Sequence, residues 1–290
     1  MKAGKVRKKV LALLLAGTAI LGLTGGGTMQ VEAAGQENAY VDTSSYEQLY
    51  KLYEDYFKLG IACQAMDHWN DPTAEIGNQE KEELINRMFN SMTFGNELKP
   101  AYNFDASSEN LFKVDFAAEE MLEWAKENNM KVRGHVLVWH SQVDPSIFAI
   151  DYQAYADGKL TKSDTAKLDE ECLVDREELL ARLKRYIYGV LEYTYKNGYA
   201  DVIYAWDVVN EAADENQYDG LRRSYWYQII GPDYLYYAFL YAREAETLYA
   251  KQYASLYGLD ADTDDLSSIQ PKLFYNDYNE WFGSLSLIHI

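Results

Sequence analysis

The stretch VIYAWDVVNE, residues 202–211, has the pattern of a buried strand that ends in an amide and a carboxylate. Nearly every position from 202 to 209 is apolar, which is typical of a strand covered on both faces in a parallel sheet. Asp207 interrupts the apolar run, and Asn210 and Glu211 close it. A carboxylate at the end of such a strand is costly unless it is paired or performs chemistry. The stretch therefore predicts a parallel α/β fold. It leaves two interpretations of Glu211, a catalytic acid or a cap of the following segment.

Strand and helix patterns alternate along the rest of the chain. The apolar runs predict strands at 59–66, 91–98, 131–139, 202–209 and 272–275. The amphipathic runs predict helices at 79–90, 116–128, 175–197 and 233–257. This alternation is typical of a parallel α/β fold, either an open sheet or a barrel. No glycine-rich phosphate loop follows the first strand, which weakens the nucleotide-binding version. In a barrel, functional residues lie at the carboxyl ends of the strands.

Composition restricts the class of partner. The chain has 290 residues, a hydrophobic content of 48% and a formal net charge of -19. This charge argues against nucleic acid or an anionic membrane as a partner. A neutral polymer or a small molecule fits better, although an acidic surface can also serve solubility alone. The two cysteines, Cys63 and Cys172, are too few for a disulfide framework. They could form one bridge, but two buried thiols are the favoured interpretation.

The N-terminal region has the composition of a secretory signal peptide, which we assign to residues 1–33. Five basic residues precede the apolar run 10–23, and Val31-Glu32-Ala33 offers a cleavage site. An uncleaved membrane anchor is the alternative interpretation. Residues 34–45 are predicted to be a linker. We therefore expect a secreted protein that does not remain in a membrane after cleavage.

The segment RGHVLVWHSQ, residues 133–142, contains two of the four histidines of the chain. His135 and His140 are five positions apart, which places them on opposite faces of a strand and disfavours a shared metal site. Each histidine alone is more often structural. A strand that carries His135, Trp139 and Gln142 near its end nevertheless suits a carbohydrate site. There, aromatic faces stack on sugar rings, and amides and imidazoles bind hydroxyl groups.

Two further polar segments follow predicted strands. NELK, residues 96–99, offers Asn96 and Lys99, and Lys99 could bind a sugar hydroxyl or form an ion pair with Glu97. In FYNDYNEW, residues 274–281, two asparagines and two aromatic residues follow the end of the fifth predicted strand, including Asn276 and Tyr278. Each segment alone is a weak indication of function.

Taken in order, five stretches of the chain resemble glycoside hydrolase family 10, the endo-β-1,4-xylanases. They are FNSMTFGNELKP (89–100), VRGHVLVWHSQ (132–142), WDVVNEA (206–212), SYWYQIIGPDYLYYAF (224–239) and LFYNDYNEW (273–281). The ordered set is far more specific than any one of its members. The resemblance covers residues 46–282.

The resemblance implies a (β/α)8 barrel and retaining hydrolysis of xylan or xylo-oligosaccharides by a monomer without metal or cofactor. It implies that Glu211 is the proton donor and acid/base. The residues that it implies on the glycone side are Asn96, Lys99, His135, Trp139, Gln142 and Asn210. It implies that Asn276 and Tyr278 lie near the aglycone side.

The sequence departs from the family pattern at two places. Gly95 stands where many members carry a glutamate that binds a distal xylose. The family nucleophile is a glutamate in a Thr-Glu-Leu-Asp-like motif on the seventh strand, and no such motif follows Trp281. The tail GSLSLIHI, residues 283–290, matches nothing in the family. We therefore expect a barrel fragment with about five of the eight βα units, truncated at its C-terminus and inactive as it stands.

Two rival functions stay open. One is a different barrel glycosidase that acts on cellulose or mannan and shares the Asn-Glu ending of the fourth strand. The combination of GHVLVWHSQ with NDYN argues against it. The other is a non-catalytic xylan-binding barrel, which the missing nucleophile motif keeps open and which predicts binding without hydrolysis.

Overall fold

The computed structural model describes residues 46–65, 71, 73–151 and 170–278. The predicted signal peptide, linker and C-terminal tail lie outside these residues, as does position 66 of the first predicted strand. Among the described residues, no helix is long and apolar enough to cross a membrane.

Five parallel strands form one sheet in the order β1-β2-β3-β4-β5. They are β1 (Gly60–Cys63), β2 (Ser91–Phe94), β3 (Lys131–Trp139), β4 (Ile203–Asn210) and β5 (Lys272–Asn276). Each strand pairs with the next strand along the chain. A doubly wound sheet would reverse its strand order part-way, whereas consecutive order is the arrangement of a barrel wall. The described strands therefore favour the barrel.

Six α-helices accompany these strands in the described part of the chain. They are α1 (Gln79–Met88), α2 (Pro100–Asn103), α3 (Phe116–Glu127), α4 (Arg176–Lys196), α5 (Tyr225–Ile230) and α6 (Tyr234–Tyr253). Asn78, Asp115 and Asp175 cap the first turns of α1, α3 and α4 through their side-chain oxygens. This is why these helices begin where they do, since such caps satisfy backbone N–H groups that lack a partner within the helix.

The predicted strands and helices all exist, and the differences lie at their ends. The predicted strand 91–98 ends at Phe94, because the Lys99 N–H bonds to the Asn96 carbonyl and the chain turns into α2. The predicted helix 233–257 ends as an α-helix at Tyr253 and continues as a 3-10 turn before Gly258. Two short helices, α2 and α5, were not predicted, because one or two turns carry too little periodicity.

The two longest described strands, β3 and β4, pack closely against each other. Gly134 on β3 lies opposite Trp206 on β4, whose indole ring is 1% exposed. A Cβ atom at Gly134 would lie 2.3 Å from that ring, so only glycine lets the ring cover the neighbouring strand. This close approach fixes the register of the two strands that lead into Trp139 and Asn210.

The cysteines are both free. Cys63 on β1 is buried, and burial, with a smaller effect of the Glu75 and Glu97 charges, raises its pKa to about 12. The prediction of a buried thiol is thus confirmed for Cys63. It is wrong for Cys172, which is exposed in the 3-10 turn Glu170–Cys172, outside the layer that packs on the sheet.

Glu246 on α6 is a carboxyl group removed from solvent. It pairs with Arg243, whose side chain is 61% exposed, and its Oε2 atom has no hydrogen-bond partner among the described residues. The buried hydroxyl of Tyr195 on α4 also lacks one, and its pKa is raised by burial and then by the Glu246 charge. Burial raises the pKa of Glu246 to about 7, against a lowering effect of Arg243.

This buried carboxyl group should make stability depend on pH. Between the usual carboxyl pKa and about 7, the native state keeps the Glu246 proton that the unfolded chain has lost. The free energy of unfolding should therefore fall as pH rises through this interval. We expect Glu246→Gln to reduce that fall, as measured by urea denaturation at about pH 5 and about pH 8. Glu244→Gln, on the exposed face of the same helix, is the matched control. An unchanged pH dependence in Glu246→Gln would contradict the assignment.

Candidate active site

The predicted site residues come together at the carboxyl ends of the strands. Asn96 and Lys99 follow β2, Trp139 ends β3 and Gln142 follows it, and Asn210 ends β4 just before Glu211. Asn276 ends β5, and Tyr278, 49% exposed, lies two positions further on. Hydrogen bonds connect these residues across four neighbouring strands, as the following paragraphs describe. The site is therefore one continuous layer rather than a set of isolated side chains.

Glu211 is held by its backbone on both sides. Its φ of 53° lies in the left-handed region, which non-glycine residues adopt at a cost of about 1–3 kcal/mol. Its N–H donates to the Asn276 carbonyl at 2.8 Å, and its carbonyl accepts from Arg222 Nε at 2.9 Å. Its carboxylate oxygen Oε2 accepts from the indole Nε1 of Trp139 at 3.1 Å. The strand end thus points one carboxyl group at Trp139 and keeps it there.

Lys99, Asn96 and Gln142 form a closed polar cluster. The Lys99 ammonium donates to Asn96 Oδ1 at 3.0 Å and to Gln142 Oε1 at 2.6 Å. Gln142 Nε2 donates to Asn96 Oδ1 at 2.9 Å. The ammonium also lies 5.1 Å from the ring centroid of Trp139, within cation–π range. The carboxylate of Glu97, the alternative partner considered for Lys99, accepts from the N–H groups of Ala65 and Asn96.

His135 belongs to a second network, which centres on Asp207. The imidazole Nδ1 lies 2.9 Å from Asp207 Oδ2, and Arg133 donates to Asp207 Oδ1 through Nε at 2.9 Å and Nη2 at 2.6 Å. Arg133 Nη2 also donates to Asn276 Oδ1 at 3.0 Å. Asn276 Nδ2 in turn donates to Asn210 Oδ1 at 2.7 Å. Both carboxylate oxygens of the buried Asp207 are therefore engaged.

Trp139 separates the two histidines of its strand. Its ring lies 6.2 Å from the His135 ring and 5.7 Å from the His140 ring, measured between centroids. Within the described ranges, no group of three or more His, Cys, Asp or Glu side chains could hold a metal ion.

Comparison with known proteins decides the family. Residues 48–282 match the family model described as glycosyl hydrolase family 10. The chain belongs to glycosyl hydrolase family 10. The fold of this family is a (β/α)8 barrel, of which the five described strands and their helices form a part.

Two proteins to which this family-10 chain is similar are named as xylanases. It is 37% identical over 232 residues to endo-1,4-beta-xylanase A of Thermotoga maritima, a match that covers 80% of this chain and 17% of the relative. Its structure superposes on TsXylA, an intracellular xylanase from Thermoanaerobacterium saccharolyticum, with a TM-score of 0.57 at 32% identity, covering 81% of this chain and 57% of that one. A glutamate-to-alanine mutant of TsXylA has been solved in complex with xylotetraose. The chain thus spans about a sixth of the Thermotoga protein and about half of TsXylA.

Several residues of this family-10 site were not predicted from the sequence as site residues. Asp207 was visible as a charge inside an apolar strand, but its partner Arg133 lies 74 positions away. Arg222 supports the Glu211 backbone, and Trp226 Nε1 donates to the Trp139 carbonyl at 2.9 Å. Nothing in the local pattern around Arg222 or Trp226 distinguishes these supporting side chains from surface or core residues.

At Gly95, where the sequence departs from the family pattern, the neighbouring side chain of Gln64 leaves no room for a side chain. A Cβ atom at Gly95 would lie 2.7 Å from Cγ of Gln64. The Gln64 side chain therefore occupies the space into which a glutamate at this position would begin to extend. A side chain at position 95 would have to displace Gln64 first.

We expect Asp207→Asn to destabilise the fold strongly. The Asp207 side chain is 2% exposed and pairs with Arg133 and His135, so the neutral amide would weaken charge-assisted hydrogen bonds at a buried position. The free energy of unfolding should fall by about 2–4 kcal/mol in urea denaturation. Asp233→Asn makes the same change in the exposed Arg176–Asp233 pair and should cost at most about 1 kcal/mol. Equal losses in the two variants would contradict the role of Asp207.

Proposed function

We propose that the protein to which this chain belongs is an endo-1,4-β-xylanase that hydrolyses internal β-1,4-xylosidic bonds of xylan with retention of configuration. Membership of family 10 and the xylanase names of the relatives support the substrate class. The observation that carries the proposal is the contact between Glu211 Oε2 and Trp139 Nε1. It joins a carboxyl group at the end of β4 to the aromatic wall of a polar cluster suited to sugar hydroxyls.

In this mechanism Glu211 is the general acid in the first step and the general base in the second. Protonated, it donates to the leaving glycosidic oxygen, while a second carboxylate attacks the anomeric carbon. It then takes a proton from the water that hydrolyses the glycosyl-enzyme. A retaining site places the two carboxyl groups about 5–5.5 Å apart. The resemblance assigns the second carboxylate to a motif that the 290 residues do not contain.

The Trp139 contact determines which oxygen of Glu211 can transfer the proton. An indole N–H only donates, so Oε2 serves as its acceptor. The proton of the acid form is then carried by Oε1, which is the oxygen left to meet the leaving group. The clamped backbone of Glu211 fixes the direction of that oxygen, and such positioning contributes much of enzymatic rate enhancement.

The polar cluster supports the glycone assignment. Lys99, Asn96 and Gln142 hold one another in place, so their remaining hydrogen-bonding capacity is presented in a fixed geometry. Such preorganisation lowers the entropy cost of binding a sugar ring. We assign Asn210 and His135 to the same side of the scissile bond, and Asn276 and Tyr278 to the aglycone side. We also propose that the protein acts outside the cell, on the basis of its basic and apolar N-terminal region.

Substitution of Glu211 tests the acid/base role. In the full-length product of the gene, Glu211→Gln should lower kcat on xylan by at least about 100-fold, because an amide cannot donate the proton. An aryl xylobioside with an acidic phenol as leaving group needs no protonation in the first step, so its glycosylation rate should fall much less. Glu215→Gln, on an exposed position of the same loop, is the matched control. Equal losses on both substrates would contradict the acid role of Glu211.

The 290-residue chain by itself should release no reducing sugar from xylan at a rate comparable with the full-length product of the gene. The reason is that it lacks the Thr-Glu-Leu-Asp-like motif from which the family takes its nucleophile. A reducing-sugar assay at equal protein concentration measures this. Turnover by the 290 residues at the full rate would contradict the assignment of the nucleophile to that motif. Binding to insoluble xylan without hydrolysis by the full-length product would favour the non-catalytic alternative.

A further inference from the structure

The hairpin that follows Glu211 carries an aromatic ring that is almost fully exposed. Tyr218 is 93% exposed, more than any other large apolar or aromatic side chain in the described part of the chain. A single exposed aromatic residue is ordinary by itself. Tyr218 differs because its ring lies beside the Arg223 guanidinium, which an ion pair with Asp219 fixes in position.

Tyr218 is stacked on a fixed cation. The Arg223 guanidinium lies 5.0 Å from the centroid of the Tyr218 ring and 4.1 Å from that of Tyr227 on α5. Asp219 fixes the guanidinium through contacts of 2.9 and 3.0 Å, and it accepts from the Tyr227 hydroxyl at 2.6 Å. The Tyr218 ring thus lies within cation–π range of a fixed guanidinium and is almost fully open to solvent.

The hairpin is anchored beside the end of β5. Ala213 pairs with Leu221 across its base, and the Ala213 N–H donates to the Tyr275 hydroxyl at 3.1 Å and to Asp277 Oδ2 at 3.2 Å. Tyr218 follows Glu211 by seven positions, so the two residues are at most about 25 Å apart. The hairpin that carries Tyr218 is thus anchored at the same end of the sheet as Glu211, on the side of Asn276.

We infer that Tyr218 is a stacking platform for a xylosyl unit of the substrate on the aglycone side of the scissile bond. This inference rests on the proposed xylanase function and adds to it a residue that selects longer chains. A flat, neutral pyranose ring presents C–H groups that pack on an open aromatic face, and this contact buries apolar area without requiring a charge. The cation–π contact with Arg223 restricts the Tyr218 ring and so reduces the side-chain entropy that is lost when the sugar binds.

Substrates of different length test this inference in the full-length product of the gene. Tyr218→Ala should lower kcat/KM for xylohexaose about three- to tenfold. It should leave kcat/KM for an aryl xylobioside unchanged, because both xylosyl units of that substrate lie on the glycone side and its aryl group reaches only the aglycone position next to the scissile bond. Tyr218→Phe keeps the ring and should behave like the unsubstituted protein. Because the side chain is exposed, its removal should not lower Tm.

Tyr236→Ala is the matched control, since it removes another exposed tyrosine ring, 63% exposed on α6. It should change neither kcat/KM. An equal kcat/KM for xylohexaose in Tyr218→Ala and the unsubstituted protein would overturn the platform and leave the xylanase function standing. Loss of activity on both substrates in Tyr218→Ala would overturn it too, because the short substrate places no xylosyl unit on the aglycone side. Failure of the unsubstituted protein to hydrolyse either substrate would overturn the proposed function, and the platform with it.

Discussion

The buried carboxylate of Asp207 joins the strands on which the site is built. From β4 it accepts hydrogen bonds from Arg133 and His135 on β3, and Arg133 extends the network to Asn276 on β5. Burying a carboxylate costs several kcal/mol, and only good geometry with all lone pairs engaged offsets that cost. The pairing registers of β3 with β4 and of β4 with β5 both shift near Asp207. The network thus holds the three strands together where regular pairing is interrupted.

Glu211 depends on this arrangement, because its backbone is fixed by the neighbouring strand. Its N–H bonds to the Asn276 carbonyl, so the end of β5 places the left-handed turn that directs the carboxyl group. Gln142, which follows β3, also has a positive φ, of 44°. Residues in sparsely populated backbone regions persist only when the surroundings fix them, and they concentrate at functional sites. Here the two strained residues supply a carboxyl group and an amide to the same layer.

The sequence was sufficient for the parts of the structure that depend on local pattern. The apolar run 202–209 and the order of strands and helices predicted the parallel sheet. The same run predicted that Glu211 lies at the end of β4, where the structure places it. The pairing of Asp207 with Arg133 was not predictable, since the apolar pattern shows that a charge is buried but not which distant cation lies opposite it. For the same reason the exposure of Cys172 was missed, because it depends on tertiary packing. The left-handed backbone at Glu211 likewise comes from hydrogen bonds to β5 and Arg222, not from a turn residue.

Trp139 links the binding cluster to the acid. The Lys99 ammonium makes a cation–π contact with the Trp139 ring, and the indole N–H donates to Glu211 Oε2. The Trp139 carbonyl accepts a hydrogen bond from Trp226 on α5. In the proposed mechanism, a sugar that packs on this ring and binds Lys99 contacts the same side chain that orients Glu211. The indole is rigid, so any tilt of the ring toward a bound sugar also moves its N–H relative to Glu211. In the proposed mechanism, sugar binding and the direction of the Glu211 carboxyl group are therefore coupled. This coupling explains why a supporting hydrogen bond from Trp226, on a helix beyond β4, belongs to the chemistry of the site as much as to the stability of the fold.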